Sequence, residues 1–293
     1  ITDFVLENVV NQATGGDTYT DYGAQGLVIR LAPGTEYFPI ITSGTYDPAP
    51  GHYEYLSVWI DLDQNGTFEP DEKLTVATTE APFESVTPSL FIPTDAPTGY
   101  TRMRVMCVHN EDPTDACGIY FYGETEDYTV IIDDGAPCIP VYSNGTSSGN
   151  CIDGFVMGDI NNTGSGSITS YSDFTTSGPG YITTVVPGSI NTATIGSGGG
   201  GENDTYAIWV DLDRDLSFEP NELLASQLTT GFGVQSTLLS FTIPANAQPG
   251  YTRMRVMCAN EQALTDACGT YLFGETEDYT IVIDDGSPCI PVF

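Results

Sequence analysis

Along this chain apolar and polar residues alternate in short runs, and each run ends at Gly, Pro, Asn or Asp. Residues 55–62, 101–108 and 128–133 are rich in β-branched and aromatic residues and read as strands. Residues 252–258 and 279–284 repeat two of them further along. No window of ten or more residues carries the 3.6-residue periodicity of an amphipathic helix. Closely spaced strands without helical crossovers predict an all-β chain built from antiparallel β-sandwiches, Ig-like or jelly-roll-like.

The whole pattern occurs twice. RMRVMC at 102–107 returns at 253–258, and GETEDYTVIIDDGAPCIPVY at 123–142 returns as GETEDYTIVIDDGSPCIPVF at 274–293. Cys107 and Cys258, Cys117 and Cys268, and Cys138 and Cys289 all share one offset of 151 residues. The openings match as well, Ile1-Thr2-Asp3-Phe4-Val5 against Ile152-Asp153-Gly154-Phe155-Val156. Two tandem domains are therefore predicted, 1–142 and 152–293, joined by a Ser/Gly/Asn-rich linker at 143–151.

Charge narrows the partners. The chain has 7 Lys+Arg against 40 Asp+Glu, a formal net charge of −33. Nucleic acid and anionic membrane surfaces repel such a chain, so neither is an expected partner. With 40% hydrophobic residues it still has material for real cores. No apolar run reaches the ~18 residues of a membrane span. The chain opens on Ile1 without a leader pattern, which reads as a processed chain or a fragment whose export signal is gone.

Export is read from the cysteines. Cys107 with Cys117 and Cys258 with Cys268 are expected to close equivalent loops, and Cys138 with Cys151 to bridge the linker, leaving Cys289 over. Disulfides place the protein in an oxidising compartment, secreted or at the cell surface.

Two acidic loops carry the candidate chemistry. Asp61, Asp63, Asn65, Thr67, Glu69 and Glu72 stand at positions 1, 3, 5, 7, 9 and 12 of a loop with Gly66 at position 6. This is the spacing of an EF-hand loop, delivered from a strand, because a hard cation takes six or more oxygens from alternate residues of a tight turn. The second copy offers Asp211, Asp213, Asp215, Ser217, Glu219 and Glu222, with Leu216 at position 6. Calcium is the expected ion. A left-handed conformation is costly for Leu, so the second loop is expected to bind more weakly or take another path; an Asp-rich turn that binds nothing is the alternative. Arg102 and Arg104 share one strand face, as do Glu124 and Glu126, and the two ladders are expected to pair across strands. Arg253, Arg255, Glu275 and Glu277 repeat the arrangement, and completion of a cation site by Glu124 or Asp127 is the alternative.

The order W-[IV]-D-L-D…F-E-P, then I-P…G-Y-T-R-M-R-V, then G-E-T-E-D-Y resembles the GEVED domain of secreted bacterial proteins. Tyr19-Thr-Asp21-Tyr22 and Tyr171-Ser-Asp173-Phe174 resemble its opening. The likeness covers roughly two-thirds of each repeat, and Thr125 and Thr276 stand where the family's name has Val. It implies a β-rich extracellular module of bacterial origin without an assigned catalytic role.

Three function classes follow. Catalysis is not expected: no H-E-x-x-H or phosphate loop is present, and His52 and His109 have no counterparts in the second copy. A surface adhesin or carbohydrate-binding module of a larger secreted protein, with glycans as partners, is the second class. Trp59 and Trp209 precede the acidic loops and read as core rather than sugar platforms. The favoured class is a self-assembling fibre subunit stacking head-to-tail with copies of itself. Phe4, Val5, Leu6 and Val9 are its candidate exchanged or added strand, and Cys289 and Phe293 its candidate docking end. A two-repeat piece of a longer array presents the same ends. Asn65, Asn144, Asn161 and Asn203 open N-x-[ST] sequons, candidates for glycosylation.

Overall fold

The computed structural model describes every residue except 15, 45–51, 134–137, 147–151, 166–168, 199–202, 231–235 and 285–289. The chain divides into two units: Ile1–Asp134 with Gly286–Phe293, and Gly135–Asp285. In the first repeat the strands are β1 (Asp3–Leu6), β2 (Val9–Gln12), β3 (Tyr19–Asp21), β4 (Val28–Leu31), β5 (Glu36–Tyr37) and β6 (Ile40–Thr42). Then come β7 (Glu54–Ile60), β8 (Lys73–Thr79), β9 (Ser85–Val86), β10 (Leu90–Phe91), β11 (Gly99–His109) and β12 (Gly123–Ile132). The second unit opens with β13 (Val141–Tyr142), β14 (Ile152–Met157), β15 (Ile160–Thr163), β16 (Tyr171–Asp173), β17 (Ile182–Val185) and β18 (Ile190–Ser197). It continues with β19 (Asp204–Val210), β20 (Leu223–Leu228), β21 (Ser236–Thr242), β22 (Gly250–Asn260), β23 (Thr270–Tyr271) and β24 (Gly274–Ile283). Among the described residues no helix is long and apolar enough to cross a membrane.

Each unit is a β-sandwich. In unit one a four-stranded sheet, β2-β1-β6-β9, packs on a six-stranded one, β3-β12-β11-β7-β8 with β4 also on β12. Unit two repeats this with β15-β14-β18-β21 on β16-β24-β22-β19-β20, and β17 on β24. Pairing within these sheets is antiparallel except at the outer edge of β12 and of β24, where two short strands run parallel. Phe4, Ile41, Val58, Met103, Val105, Tyr128 and Val130 fill the first core. Fully burying one such side chain is worth roughly 1.5–3 kcal/mol. The N-terminal segment is thus not a spare strand. Phe4 and Leu6 are buried, and β1 is paired on both edges by β2 and β6. In this chain Phe4, Val5, Leu6 and Val9 thus lie in the sandwich of their own unit.

The central strands are buried on both faces, and strand alternation decides what each face holds. On β11, Met103, Val105 and Cys107 face the main core. Met106 and Val108 join a second, outer cluster with Trp59, Ala116 and Tyr120. Register explains why the Arg and Glu ladders do not meet. Arg104 lies opposite Asp127, whereas Glu126 lies opposite Val105 on the core side. Arg104 Nε and Nη2 therefore donate to the two oxygens of Asp127, both at 2.7 Å, and Nη1 donates to Ala116 O at 2.8 Å. The Glu126 carboxylate instead accepts from Tyr128 Oη at 2.9 Å. Arg255 repeats the fork on Asp278 and Ala267, at 2.7–2.8 Å. A planar bidentate pair with its third edge satisfied is the arrangement in which a buried charge is tolerable.

The outer cluster also receives a chain end. In unit two β13 runs parallel to β23, with Val141 opposite Thr270 and Tyr142 opposite Tyr271. The Tyr142 ring lies in the cluster of Trp209, Met257, Ala259 and Tyr271. In unit one Val292 bridges Ile119 in the same register, and Phe293 packs against the Trp59 cluster. Gly123 and Gly274 have to be glycine, because a Cβ there would stand 2.3 Å from the Phe293 ring and 2.5 Å from that of Tyr142. So the end of the first repeat belongs to unit two, and the C-terminal tail to unit one. The units divide near residue 134 rather than within 143–151.

The disulfides follow the faces. Cys138 bonds Cys268, 130 residues away. Cys107 and Cys258 are buried and not disulfide-bonded. The expected pairings Cys107–Cys117, Cys258–Cys268 and Cys138–Cys151 are corrected. Cys107 and Cys258 point into the main cores, whereas Cys268 packs against the outer cluster across the sheet. Cys117 is disulfide-bonded as well. Cys151 and Cys289 lie outside the described residues.

Candidate functional site

Each acidic loop grows from the end of a central strand. After β7 the chain turns at Asp61, whose N–H donates to Arg102 O at 3.0 Å. The Thr101 hydroxyl donates to Asp61 O. Asp211 is held identically by Arg253 O and Thr252. Glu72 closes the loop from the far side: Oε1 accepts from the N–H groups of Leu62 and Asp63, and Oε2 from that of Glu69 at 3.0 Å. Glu222 does the same for Leu212 and Glu219. Phe68 and Phe218 lie over the buried guanidinium groups of Arg104 and Arg255, at 5.0 and 4.8 Å. Loop, arginine and sheet thus form one packed unit.

Inside this frame the carboxylates converge. Asp61, Asp63 and Glu72 each place an oxygen within 4.8 Å of the others. In the second loop Asp211, Asp213 and Glu222 do so, and Asp213, Asp215 and Glu219 form an adjoining trio. Asp61 Oδ1 and Oδ2 accept from the N–H groups of Asn65 and Gly66, at 3.1 and 3.0 Å. Asn65 Oδ1 accepts from Thr67 N at 2.7 Å, and Glu69 Oε1 accepts from the Thr67 hydroxyl. In loop two Ser217 Oγ lies 2.6 Å from both Asp215 Oδ1 and Glu219 Oε1, which share its one proton. All twelve expected ligand residues therefore lie in the two loops. Leu216 takes φ +70°, beside Gly66 at +89°, so the expectation of a different path is corrected. Its N–H donates to Asp211 Oδ2 at 3.1 Å, which holds the strained residue in place.

The electrostatics call for a counter-charge. Burial pushes Glu72 and Glu222 up to about 7. Asp211 rises to about 8 through burial and then through the charge of Glu222. Asp211 is fully buried, yet its Oδ1 has no hydrogen-bond partner. The Oε2 atoms of Glu69 and Glu219 are in the same position. Buried orphan oxygens are costly unless a proton or a cation meets them. The all-oxygen donor set suits a hard divalent cation such as calcium and not zinc. These acidic clusters can hold a metal ion.

One residue that the sequence alone did not single out, Glu54, sits elsewhere in unit one. Glu54 accepts from Cys107 Sγ at 3.4 Å and pairs with His109 Nδ1 at 2.9 Å, at the edge of a cleft that Ile1 and Glu124 also line. The carboxylate stands between thiol and imidazole, and burial pushes the thiol well above its usual range. That order leaves no activated nucleophile. The spacing of Cys107 and His109 on one strand was the available signal. Trp59 and Trp209 are buried, as core residues should be. Of the sequons, Asn65, Asn144 and Asn161 are exposed and Asn203 is half-buried; Asn65 is also part of the first loop.

No curated protein sequence matches this chain. Among solved structures it is similar to a protein of unknown function from Porphyromonas gingivalis W83, 12% identical, covering 88% of this chain and 96% of that one at a TM-score of 0.25. It is also similar to a putative membrane anchored protein from Corynebacterium diphtheriae, 11% identical, covering 96% of this chain and 62% of that one at a TM-score of 0.31. Overlaps this loose do not bear on function. The family model of the GEVED domain matches residues 55–131 and 205–282. Those two spans make up more than half of the sequence and hold both acidic loops and both arginine forks, so the chain belongs to the GEVED domain family and carries the domain twice in tandem.

Proposed function

We propose that this chain is an extracellular structural protein, a fibre subunit that stacks head-to-tail and whose acidic loops are stabilised by calcium. One observation carries the reading: each unit bears a seat for a repeat's end, and in unit two that seat is filled by the end of the repeat before it. A joint of this kind is heterologous. In this chain the seat on unit one is filled by the chain's own tail, and the joint propagates wherever the end of a further copy takes that place. The disulfide Cys138–Cys268 fits an oxidising compartment, and the charge of −33 keeps such a protein soluble outside the cell. The loops supply rigidity rather than chemistry, because Glu72 and Phe68 tie the cation-binding turn to the arginine fork. The protein is not an enzyme in this reading.

A surface adhesin or glycan-binding module is the second reading. The exposed rings of Phe121 and Tyr122 favour it. Sedimentation separates the two. Purified protein with millimolar calcium should pellet as polymer and return to the supernatant after chelation. Protein that stays in the supernatant under both conditions removes the fibre reading and leaves the adhesin.

A further inference from the structure

We propose that unit one carries a zinc-class metal site at one end of its core, with Cys107, His109, Glu54 and Glu124 as ligands. The site is independent of the fibre reading and of the calcium loops. Glu54 opens β7, whereas the acidic loop follows the other end of that strand.

Register gathers the four residues. Cys107 and His109 stand two apart on β11 and share a face. Glu54 lies opposite His109, and Glu124 of β12 lies opposite Cys107. Because β11 runs between β7 and β12, three adjacent strands present a thiol, an imidazole and two carboxylates to the same side. Opposed side chains on neighbouring strands start only about 4.5–5.5 Å apart. Glu54 already draws two of the donors to itself: Cys107 Sγ donates to its Oε2 at 3.4 Å, and His109 Nδ1 lies 2.9 Å from its Oε1. All four line one open cleft of about 160 Å³, walled by Tyr122. The ring of His52 stands 5.2 Å from that of His109 and brings a second imidazole to the rim.

An oxygen in this cleft calls for a ligand. Glu124 Oε1 is buried without a hydrogen-bond partner, while Oε2 of the same carboxylate is held by Ile1 N. A buried orphan of this kind is costly unless a proton or a cation meets it. The donor chemistry selects the cation. The acidic loops offer oxygen alone and suit a hard ion, whereas a thiolate and an imidazole beside carboxylates suit zinc, four-coordinate at about 2.0–2.3 Å. Glu54 now stands between thiol and imidazole, so closing the site takes rotation of side chains and no movement of the sheet. On binding, the S–H bond of Cys107 breaks, the bond from Sγ to the ion forms, and the proton passes to solvent. No electron changes hands.

The second repeat is an internal control. Cys258 and Glu275 hold the places of Cys107 and Glu124, and Asp204 that of Glu54, but Asn260 stands where unit one has His109. Asn260 Nδ2 donates to Asp204 Oδ1 at 3.2 Å, a hydrogen bond that replaces the contact between imidazole and carboxylate. Without the imidazole, unit two should leave its thiol unmetallated.

The test uses the full chain with its disulfides intact, treated with chelator, then given millimolar calcium to occupy the loops and titrated with cobalt(II). A thiolate-to-cobalt charge-transfer band should grow in the near ultraviolet, saturate at one cobalt per chain and vanish on addition of zinc(II). Cys107→Ser should remove the band, and Cys258→Ser should leave it unchanged. His109→Asn installs the residue that the second repeat carries and should weaken cobalt binding by on the order of tenfold or more. Circular dichroism checks that each variant keeps the fold. No band at millimolar cobalt, a band that survives Cys107→Ser in folded protein, or equal binding by folded His109→Asn overturns the proposal. None of these results bears on filament formation.

Discussion

The two acidic loops follow one path with different residues. At the six ligand positions loop one has four carboxylates, with Asn65 and Gly66 at its turn, and loop two has five, with Asp215 and Leu216 in those places. At the fourth position Gln64 Nε2 donates to Pro97 O and Thr98 O at 3.3 and 3.2 Å, and Arg214 Nη1 donates to Pro249 O at 3.0 Å. Different side chains thus tie the loop to the same neighbouring segment. Position 6 does not choose the path. The glutamate clamp, the threonine under the first aspartate and the tether at position 4 choose it, and Leu216 accepts φ +70° within that frame. The difference that remains is how many of the ligand positions carry a carboxylate. Loop two concentrates more carboxylate around a buried, half-partnered Asp211 and should be the tighter cation site.

The comparison can be broken most severely at the shared frame. Asp278→Ala strands Arg255 and Arg253 in the sheet and should cost unit two about 3–5 kcal/mol. Calorimetry should show one unit's transition falling while the other holds; a loss of under 1 kcal/mol would show that the fork is not what supports the loop. Next in size is the cation. Titration of chelator-treated protein should resolve two calcium sites, the stronger in loop two, and Asp211→Asn should weaken that site at least tenfold while loop one is unchanged. No heat at millimolar calcium would remove the ion from the account.

A smaller effect separates the units by pH. Glu275 is raised from 4.5 to about 8, by burial and then by the charge of Glu277. A carboxyl raised on folding contributes stability that is complete below its unfolded value and is lost as pH rises through the folded one. Unit two should therefore weaken between pH 4.5 and 8. Glu275→Gln, which keeps an acceptor for Ile152 N–H, should flatten that slope by on the order of 2 kcal/mol. An unchanged slope in thermal melts would locate the effect elsewhere. The smallest change makes the two seats alike. Tyr142→Phe leaves Thr276 Oγ1 as unpartnered as Thr125 Oγ1 and should cost unit two about 1 kcal/mol in denaturant unfolding.

Much of this was legible without coordinates, for definite reasons. Strand alternation and the 151-residue offset gave the all-β class and the duplication, because both are properties of the linear pattern. The loops were legible because all their ligand candidates come from one short segment. What needed register was not. The partner of Arg104 is Asp127, since β11 and β12 align those two residues, and nothing in the spacing of Glu124 and Glu126 reveals that they face the core. The cysteines failed likewise: Cys107 and Cys117 are near in sequence, but Cys107 faces the main core and the loop carrying Cys117 lies over the other face. The seat for a repeat's end was hidden because a linear boundary cannot show that 141–142 pack on the following unit.

The central claim is head-to-tail stacking with calcium-stabilised loops, and electron microscopy of the native protein with calcium and after chelation tests it most directly. Regular filaments should appear whose axial repeat is one two-domain subunit, and they should be lost on chelation. Dispersed single particles under both conditions would contradict it.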